Sequence, residues 1–132
     1  MKRFHLIFGL TLFVVFLLTG QFMDRFHHHL ADMADGPRML YRSRHIYILL
    51  SGLVHLGIGS YFYYRLRTWL RVLQLLGSAL ITIASVMFVA AFFYEPGLTN
   101  LYGPLTKFAV IITAVGTLLH LLGISDELKD QR

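Results

Sequence analysis

Four long apolar segments alternate with short polar ones along the chain. They lie at about residues 4–23, 45–64, 70–94 and 105–124, and the second contains no Asp, Glu, Lys or Arg. A helix of about 20 residues is about 30 Å long, which is the thickness of the hydrocarbon core of a bilayer. The pattern therefore predicts four membrane-spanning helices.

Each predicted span carries one face of small, polar or histidine residues. On the second span, Ile48, Gly52, His55 and Gly59 are spaced i, i+4, i+7 and i+11, which places them on one side of a helix. Small residues let helices approach closely in lipid, and polar groups bond across helices, so these faces are expected to meet. The matching faces of the other spans are His5, Gly9, Leu12, Phe16, Thr19 and Met23; Gln74, Ser78, Ile81, Ser85, Phe88 and Phe92; and Ala109, Thr113, Gly116, His120 and Gly123.

The segment between the first two spans, residues 24–35, is too polar to cross a membrane. Its apolar residues Phe26, Leu30 and Met33 fall on one side of a helix, and the opposite side carries Asp24, His28, Asp32 and Asp35. Asp24 can cap the start, and Gly36-Pro37 can end the segment. The pattern predicts a short helix in the membrane interface. The expected fold is all-α, a polytopic four-transmembrane-helix bundle with this interfacial helix in its first loop, forming a single domain over residues 1–132.

Composition supports a membrane protein. The 132 residues are 56% hydrophobic and only 14% charged, a balance too apolar for a soluble domain of this size. Cysteine is absent, which excludes disulfides, thiolate metal sites and cysteine nucleophiles. Lys2 and Arg3 followed by an apolar run imitate a signal peptide, but the run exceeds a usual signal core of about 7–15 residues and no A-x-A site follows, so an uncleaved first span is expected.

The basic residues predict an orientation. With the N-terminus inside, the inner side carries Lys2, Arg3, Arg65, Arg67, Arg71, Lys129 and Arg132, and the outer side carries Arg25, Arg38, Arg42, Arg44 and Lys107. This bias favours the inner (cytoplasmic) membrane with both termini in the cytoplasm. Arg65, Arg67 and Arg71 in the short second loop are expected to bind anionic lipid head groups. A protein partner in the membrane or a second copy of the chain stays open as a further contact.

Histidines on the inward faces are the first chemical candidates. His55 and His120, with His5 near the inner interface, suggest axial ligands of haem b, and the neighbouring glycines would let a porphyrin approach the backbone. An offset of about 7 Å in depth between His55 and His120 argues against a simple pair of ligands. The alternative interpretation is that the histidines bond Ser, Thr or backbone carbonyls across helices.

A second candidate is the polar first loop. His28 lies one helical turn from Asp24 and Asp32, with Asp35 on the same side, and a histidine with carboxylates suits a divalent metal. The alternative is a solvated face whose imidazoles and carboxylates pair with one another or with arginines. That alternative is favoured because consecutive histidines on a helix point in different directions.

The expected function is that of a non-enzymatic membrane component, an accessory subunit or a transport-related protein. Proton or ion conduction through His5, His55 and His120 is one such role, since ionisable residues inside a membrane often mark ion paths. The sequence shows no G-x-S-x-G, P-loop or dinucleotide-binding pattern. The alternative function is a haem-containing electron-transfer or quinone-reactive subunit.

Overall fold

The computed structural model describes residues 1–98 and 103–122, which are helical and contain no strand. The long helices are α1 (Lys2–His27), α2 (Asp35–Tyr61), α3 (Thr68–Tyr94) and α4 (Pro104–Leu121). Single 3-10 turns follow α1 at His28–Leu30 and α3 at Glu95–Gly97. The all-α prediction is confirmed for this part of the chain.

Three of the helical segments, Lys2–Leu30, Thr68–Gly97 and Pro104–Leu121, are long and apolar enough to cross a membrane. Large apolar side chains such as those of Ile7, Val86 and Leu118 are exposed on their outer faces, as expected for surfaces in lipid. The helix α2 is equally long, but Arg38, Arg42 and Arg44 lie in its first half, which lowers its mean hydropathy. The prediction of a membrane protein is therefore supported, and a membrane crossing by α2 stays a prediction.

The predicted inward faces are confirmed where the structure describes them. All four face residues of α2 are buried, and so are all six of α3. On α1 and α4 the face residues Phe16, Met23 and Thr113 are half-buried. The other described members are buried, namely His5, Gly9, Leu12, Thr19, Ala109, Gly116 and His120. Gly123 lies outside the described residues. Helical periodicity therefore identified which side of each helix is turned towards the rest of the protein.

The predicted interfacial helix over 24–35 is wrong. The helix α1 continues through Asp24 to His27, and the chain then turns at His28, His29 and Leu30, all of which have positive φ. Helix α2 begins at Asp35, so Pro37 belongs to its first turn rather than ending a helix before it. Proline is tolerated there because the first-turn N–H groups have no partner within the helix.

Glycines allow the helices to pack as two antiparallel hairpins. A Cβ atom added at Gly9 of α1 would lie 2.9 Å from the carbonyl oxygen of Gly52 in α2, so the two backbones touch. A Cβ atom at Gly77 of α3 would lie 2.5 Å from the carbonyl oxygen of Gly116 in α4. We call these units the first hairpin (α1 and α2) and the second hairpin (α3 and α4).

An apolar core fills the middle of the interface between the two hairpins. Ile48 of α2 packs there with Ala84, Phe88 and Phe92 of α3 and with Ala109 of α4. The polar contacts between the hairpins lie on either side of this core. One group gathers where α1 begins and α4 ends, and the other where α4 begins.

Candidate functional site

Three helices bring a histidine each to one end of the bundle. His5 comes from the first turns of α1, His55 from the last third of α2 and His120 from the end of α4. The Nδ1 atoms of His5 and His55 are 2.8 Å apart, and their ring centroids are 5.0 Å apart. The ring of His120 stands edge-on to that of His5 at 6.5 Å. We call these three residues the histidine cluster, and His5 is its central member.

The cluster is sealed from solvent. His5 and His55 have no exposed surface, and His120 is 8% exposed. Aromatic rings close the remaining sides, since Phe8 lies 4.8 Å from the ring of His55, and Phe62 lies 5.8 Å from the rings of His5 and His120. Polar rings so enclosed depend on one another and on nearby hydroxyl groups for hydrogen bonds.

The hydrogen-bond network indicates which ring nitrogens of neutral His5 and His55 carry a proton. The hydroxyl of Ser85 donates to the carbonyl oxygen of Ile81, so its oxygen is left to accept from Nε2 of His55 at 3.1 Å. The Nδ1 atom of His55 is then an acceptor, and Nδ1–H of His5 donates to it. This leaves Nε2 of His5 as a lone-pair acceptor, and that buried atom has no partner.

His120 is held by helix α3. Its Nδ1 atom lies 3.3 Å from the carbonyl oxygen of Gln74 and 3.2 Å from the hydroxyl oxygen of Ser78. Because a carbonyl oxygen can only accept, Nδ1 carries the proton and Nε2 is an acceptor. His55 and Ser85 link α2 to α3, whereas His120 ties α4 to α3, so the cluster spans both hairpins.

The geometry does not fit a haem between His5 and His55. An iron held by two imidazoles separates the ligating nitrogens by about 4 Å, because each metal–nitrogen bond is about 2 Å long. Their closest nitrogens are 2.8 Å apart, a hydrogen-bond distance, and α1 touches α2 through Gly9 and Gly52. Haem binding by His5, His55 and His120 stays a prediction. Contacts of the alternative interpretation are present for His55, which bonds Ser85, and for His120, which bonds helix α3, whereas His5 bonds His55.

A second polar group, which sequence reasoning missed, joins the hairpins at the opposite end. Nε of Arg44 donates to Oε2 of Glu95 at 2.7 Å, and both side chains are buried. Oε1 of Glu95 accepts from the backbone N–H of Thr106 at 2.9 Å, and Oε2 accepts from the Thr106 hydroxyl. We call Arg44, Glu95 and Thr106 the carboxylate cluster.

Glu95 serves as a cap for α4. The N–H of Thr106 belongs to the first turn of that helix, where no helical carbonyl is available, and the positive end of the helix dipole favours a carboxylate. Gly103 is required next to it, because a Cβ atom there would overlap the Arg44 guanidinium and lie 2.6 Å from Oε2 of Glu95. The only sequence signal for this cluster is an isolated acid at the end of an apolar run.

The residues of the predicted metal site are not brought together. Asp24 pairs with His29 at 2.7 Å rather than with His28, and Asp35 lies 3.6 Å from Arg38. Asp32 and His28 line a shallow hollow with four other residues. Within residues 1–98 and 103–122, no three His, Asp or Glu side chains are placed to hold a metal ion. The kink at His28 explains this, because it breaks the helical spacing on which the hypothesis depended.

Arg65 and Arg67 of the second loop and Arg71 in the first turn of α3 lie at the same end of the bundle as the histidine cluster. Nε of Arg71 donates to the carbonyl oxygen of Arg65 at 3.2 Å, and its guanidinium lies 5.9 Å from the ring centre of Tyr64. Arg67 occupies the position just before the first residue of α3. Their charges are thus concentrated beside the exposed tyrosines Tyr61, Tyr63 and Tyr64, a combination typical of head-group depth.

Comparison of the chain with protein families, with curated proteins and with solved structures found no match. The arrangement of its own residues is therefore the basis on which a function can be inferred.

Proposed function

We propose that the chain is a transport-related component of the inner membrane, not an enzyme, and that its histidine cluster takes up and passes on one proton. In this proposal all four helices cross the bilayer and both termini face the cytoplasm. Close contact between α1 and α2 supports a membrane crossing by α2, because Gly9 and Gly52 hold the two helices side by side. The bias of Lys and Arg counted along the sequence supports the orientation.

The hydrogen bond between His5 and His55 carries the proposal. His5 donates this bond through Nδ1–H. Its other ring nitrogen, Nε2, is a fully buried acceptor without a partner. An unsatisfied buried acceptor costs about 1–3 kcal/mol, so native proteins rarely keep one without a use. The lone pair of this nitrogen is free to bind a proton.

The network also defines how a proton would move. A proton that binds Nε2 of His5 makes that ring a double donor. The proton on Nδ1 of His5 can then cross 2.8 Å to Nδ1 of His55, which leaves His5 neutral and His55 charged. The charge thereby moves one ring further from the end of the bundle, towards Ser85. A second proton is disfavoured because the two rings are only 5.0 Å apart.

Proteoliposomes provide the test. A potassium diffusion potential drives protons inwards, and a dye trapped in the lumen reports the pH. We expect flux above that of protein-free liposomes, dependent on pH, and reduced to the protein-free level in His55→Leu. Ser60→Ala is the matched control, since Ser60 lies on the same helix but is exposed and bonds only to its own backbone. Wild-type flux equal to that of empty liposomes would refute transport.

Solid-state NMR of ¹⁵N-labelled histidine tests the proton positions separately. We expect His5 to carry its proton on Nδ1 and His55 on Nε2 at neutral pH, with one proton shared between them on acidification. Observation of the opposite tautomer in both rings would contradict the network and with it the proposed path.

A further inference from the structure

The proton acceptor of the histidine cluster has no surface through which water could reach it. His5 has no exposed surface, and its Nε2 atom is buried without a partner. Transfer of a proton to a ring nitrogen requires a donor at hydrogen-bond distance, or one water molecule between the two groups. A side chain that covers the cluster must therefore move before the proposed uptake of a proton can occur.

Among the described residues, three phenylalanine rings lie against His5 or His55, and two of them belong to α1. Phe4 and Phe8 stack on each other at 5.5 Å, and Phe4 lies 5.3 Å from the ring of His5. Phe4 is 42% exposed on the outer surface of that helix, so in the proposed location these two rings separate the cluster from lipid. A gap opened at Phe4 or Phe8 would admit acyl chains rather than water.

Phe62 is the third ring, and it lies at the head-group end. It follows the last residue of α2 and lies 5.8 Å from the rings of both His5 and His120. The ring of Tyr64, which is 53% exposed, stands edge-on to Phe62 at 5.2 Å. Phe62 is only 5% exposed, so this one buried ring connects an exposed aromatic residue to the histidine cluster.

The backbone that follows Phe62 is anchored, so the ring is the part that can move. The amide nitrogen of Gln74 donates to the carbonyl oxygen of Tyr63 at 2.8 Å, and Nε of Arg71 donates to that of Arg65 at 3.2 Å. Both donors belong to α3, which ties the linker to the second hairpin. Rotation of a phenylalanine ring about its side-chain bonds leaves these hydrogen bonds intact.

We propose that the ring of Phe62 is the gate through which water, and with it a proton, reaches His5 from the head-group end of the bundle. The gate serves the transport function proposed above and rests on it, but access to the histidine rings can be measured whether or not protons are transported. An open gate exposes His5 and His120. It leaves His55 protected, because His5 and Ser85 engage both of its ring nitrogens.

Carbethoxylation by diethyl pyrocarbonate, which acylates accessible ring nitrogens of neutral histidine, tests the gate in the purified full chain in detergent. Peptide mass spectrometry gives the rate at each histidine, and His29, whose side chain is 83% exposed, is the reference within the same sample. In Phe62→Ala we expect the rate at His5 to rise about tenfold, because protection of a buried group follows the free energy of the opening that exposes it. Phe62→Leu retains part of the cover and should give a smaller rise. No rise at His5 in either variant would overturn the proposal.

The pattern over the other histidines separates a gate from a general loosening of the bundle. His120 should react faster together with His5, whereas the rates at His55 and at His45, which lies outside the cluster, should not change. Equal rises at all four rings in both Phe62 variants would mean that this side chain acts through the stability of the bundle. That result would also overturn the gate.

Two further variants locate the entrance. Tyr63→Ala is the matched control, because Tyr63 is the next residue in the linker but is 73% exposed, and we expect no change at His5. Phe4→Ala tests entry from the lipid side. A rise at His5 in Phe4→Ala but not in Phe62→Ala would place the entrance on α1 and refute the assignment.

Proton flux in the proteoliposomes distinguishes failure of the gate from failure of the proposed function. We expect Phe62→Ala to raise the flux severalfold, because opening of the gate limits entry in the wild type. Phe62→Ala combined with His55→Leu should return the flux to the protein-free level. Flux that persists in the double variant would show a leak that bypasses the cluster, contrary to the proposal. Wild-type flux at the protein-free level would refute transport, and the acylation rates would still decide whether Phe62 covers the cluster.

Discussion

Replacement of Glu95 by Gln is the sharpest test of how the hairpins are joined. Glu95 is 1% exposed and its partner Arg44 is 9% exposed, so neither can turn to water when the other is lost. Glu95→Gln keeps an oxygen for the N–H of Thr106 but directs an amide N–H group at the guanidinium. Removal of one partner from a buried ion pair costs about 3–5 kcal/mol, so we expect the free energy of unfolding to fall by about 3 kcal/mol.

The double variant shows whether that loss belongs to the pair. Arg44→Met alone leaves the carboxylate buried without its cation, and we expect a cost similar to that of Glu95→Gln. Arg44→Met combined with Glu95→Gln removes both charges, so it should cost less than the sum of the single variants by about 2 kcal/mol. Asp35→Asn is the matched control, because the Asp35 carboxylate is fully exposed and its pair with Arg38, at 3.6 Å, is expected to contribute little.

Unfolding in mixed micelles of increasing SDS content, followed by far-ultraviolet circular dichroism, gives the required free energies. The reasoning is refuted if Glu95→Gln costs less than about 1 kcal/mol and the double variant equals the sum of the single ones. That result would mean that water reaches the carboxylate cluster and that each charge is solvated on its own.

Two further substitutions test close packing at glycines in the same assay. Gly116→Val places a branched side chain where a single Cβ atom would already lie 2.9 Å from the carbonyl oxygen of Gly77. We expect the free energy of unfolding to fall by about 1–3 kcal/mol. Gly57→Ala is the control and should be tolerated, because a Cβ atom there has nothing within 4 Å. Gly103→Ala should separate Arg44 from the carboxylate of Glu95 and lower stability by a similar amount. Gly97→Ala should have little effect, because a Cβ atom there has nothing within 4 Å. Equal stability of the two variants would show that the loop adjusts freely.

Periodicity predicted the faces of the helices well because one rule, small or polar residues towards protein, acts on every turn in lipid. The rule is local to a helix, so it could not tell which faces meet. Arg44 and Glu95 are 51 residues apart, and each alone resembles an interfacial charge. Their pairing depends on how the two hairpins are placed against each other, which no local pattern encodes.

The first loop shows the opposite difficulty, where local signals were present but ambiguous. Gly36-Pro37 is equally compatible with the end of one helix and the first turn of the next. Proline has no backbone N–H, and neither position needs one. The chain uses the second alternative, and Arg38 closes the turn by donating to the carbonyl oxygen of Met33 at 2.7 Å. The predicted metal site depended on the first alternative, so its residues are separated.

The two polar clusters have different consequences for the association of the hairpins. Each hairpin is packed internally by backbone contact at glycines, which no change of charge would disturb. Lipid supplies little hydrophobic drive between the hairpins, so bonds across them, such as His55 to Ser85 and Arg44 to Glu95, carry much of their association. Arg44 and Glu95 carry opposite charges that satisfy each other, whereas the histidines are joined as neutral rings with one acceptor left over. A proton taken up there would therefore alter the hairpin interface at the histidine end alone, while the carboxylate cluster holds the opposite end together.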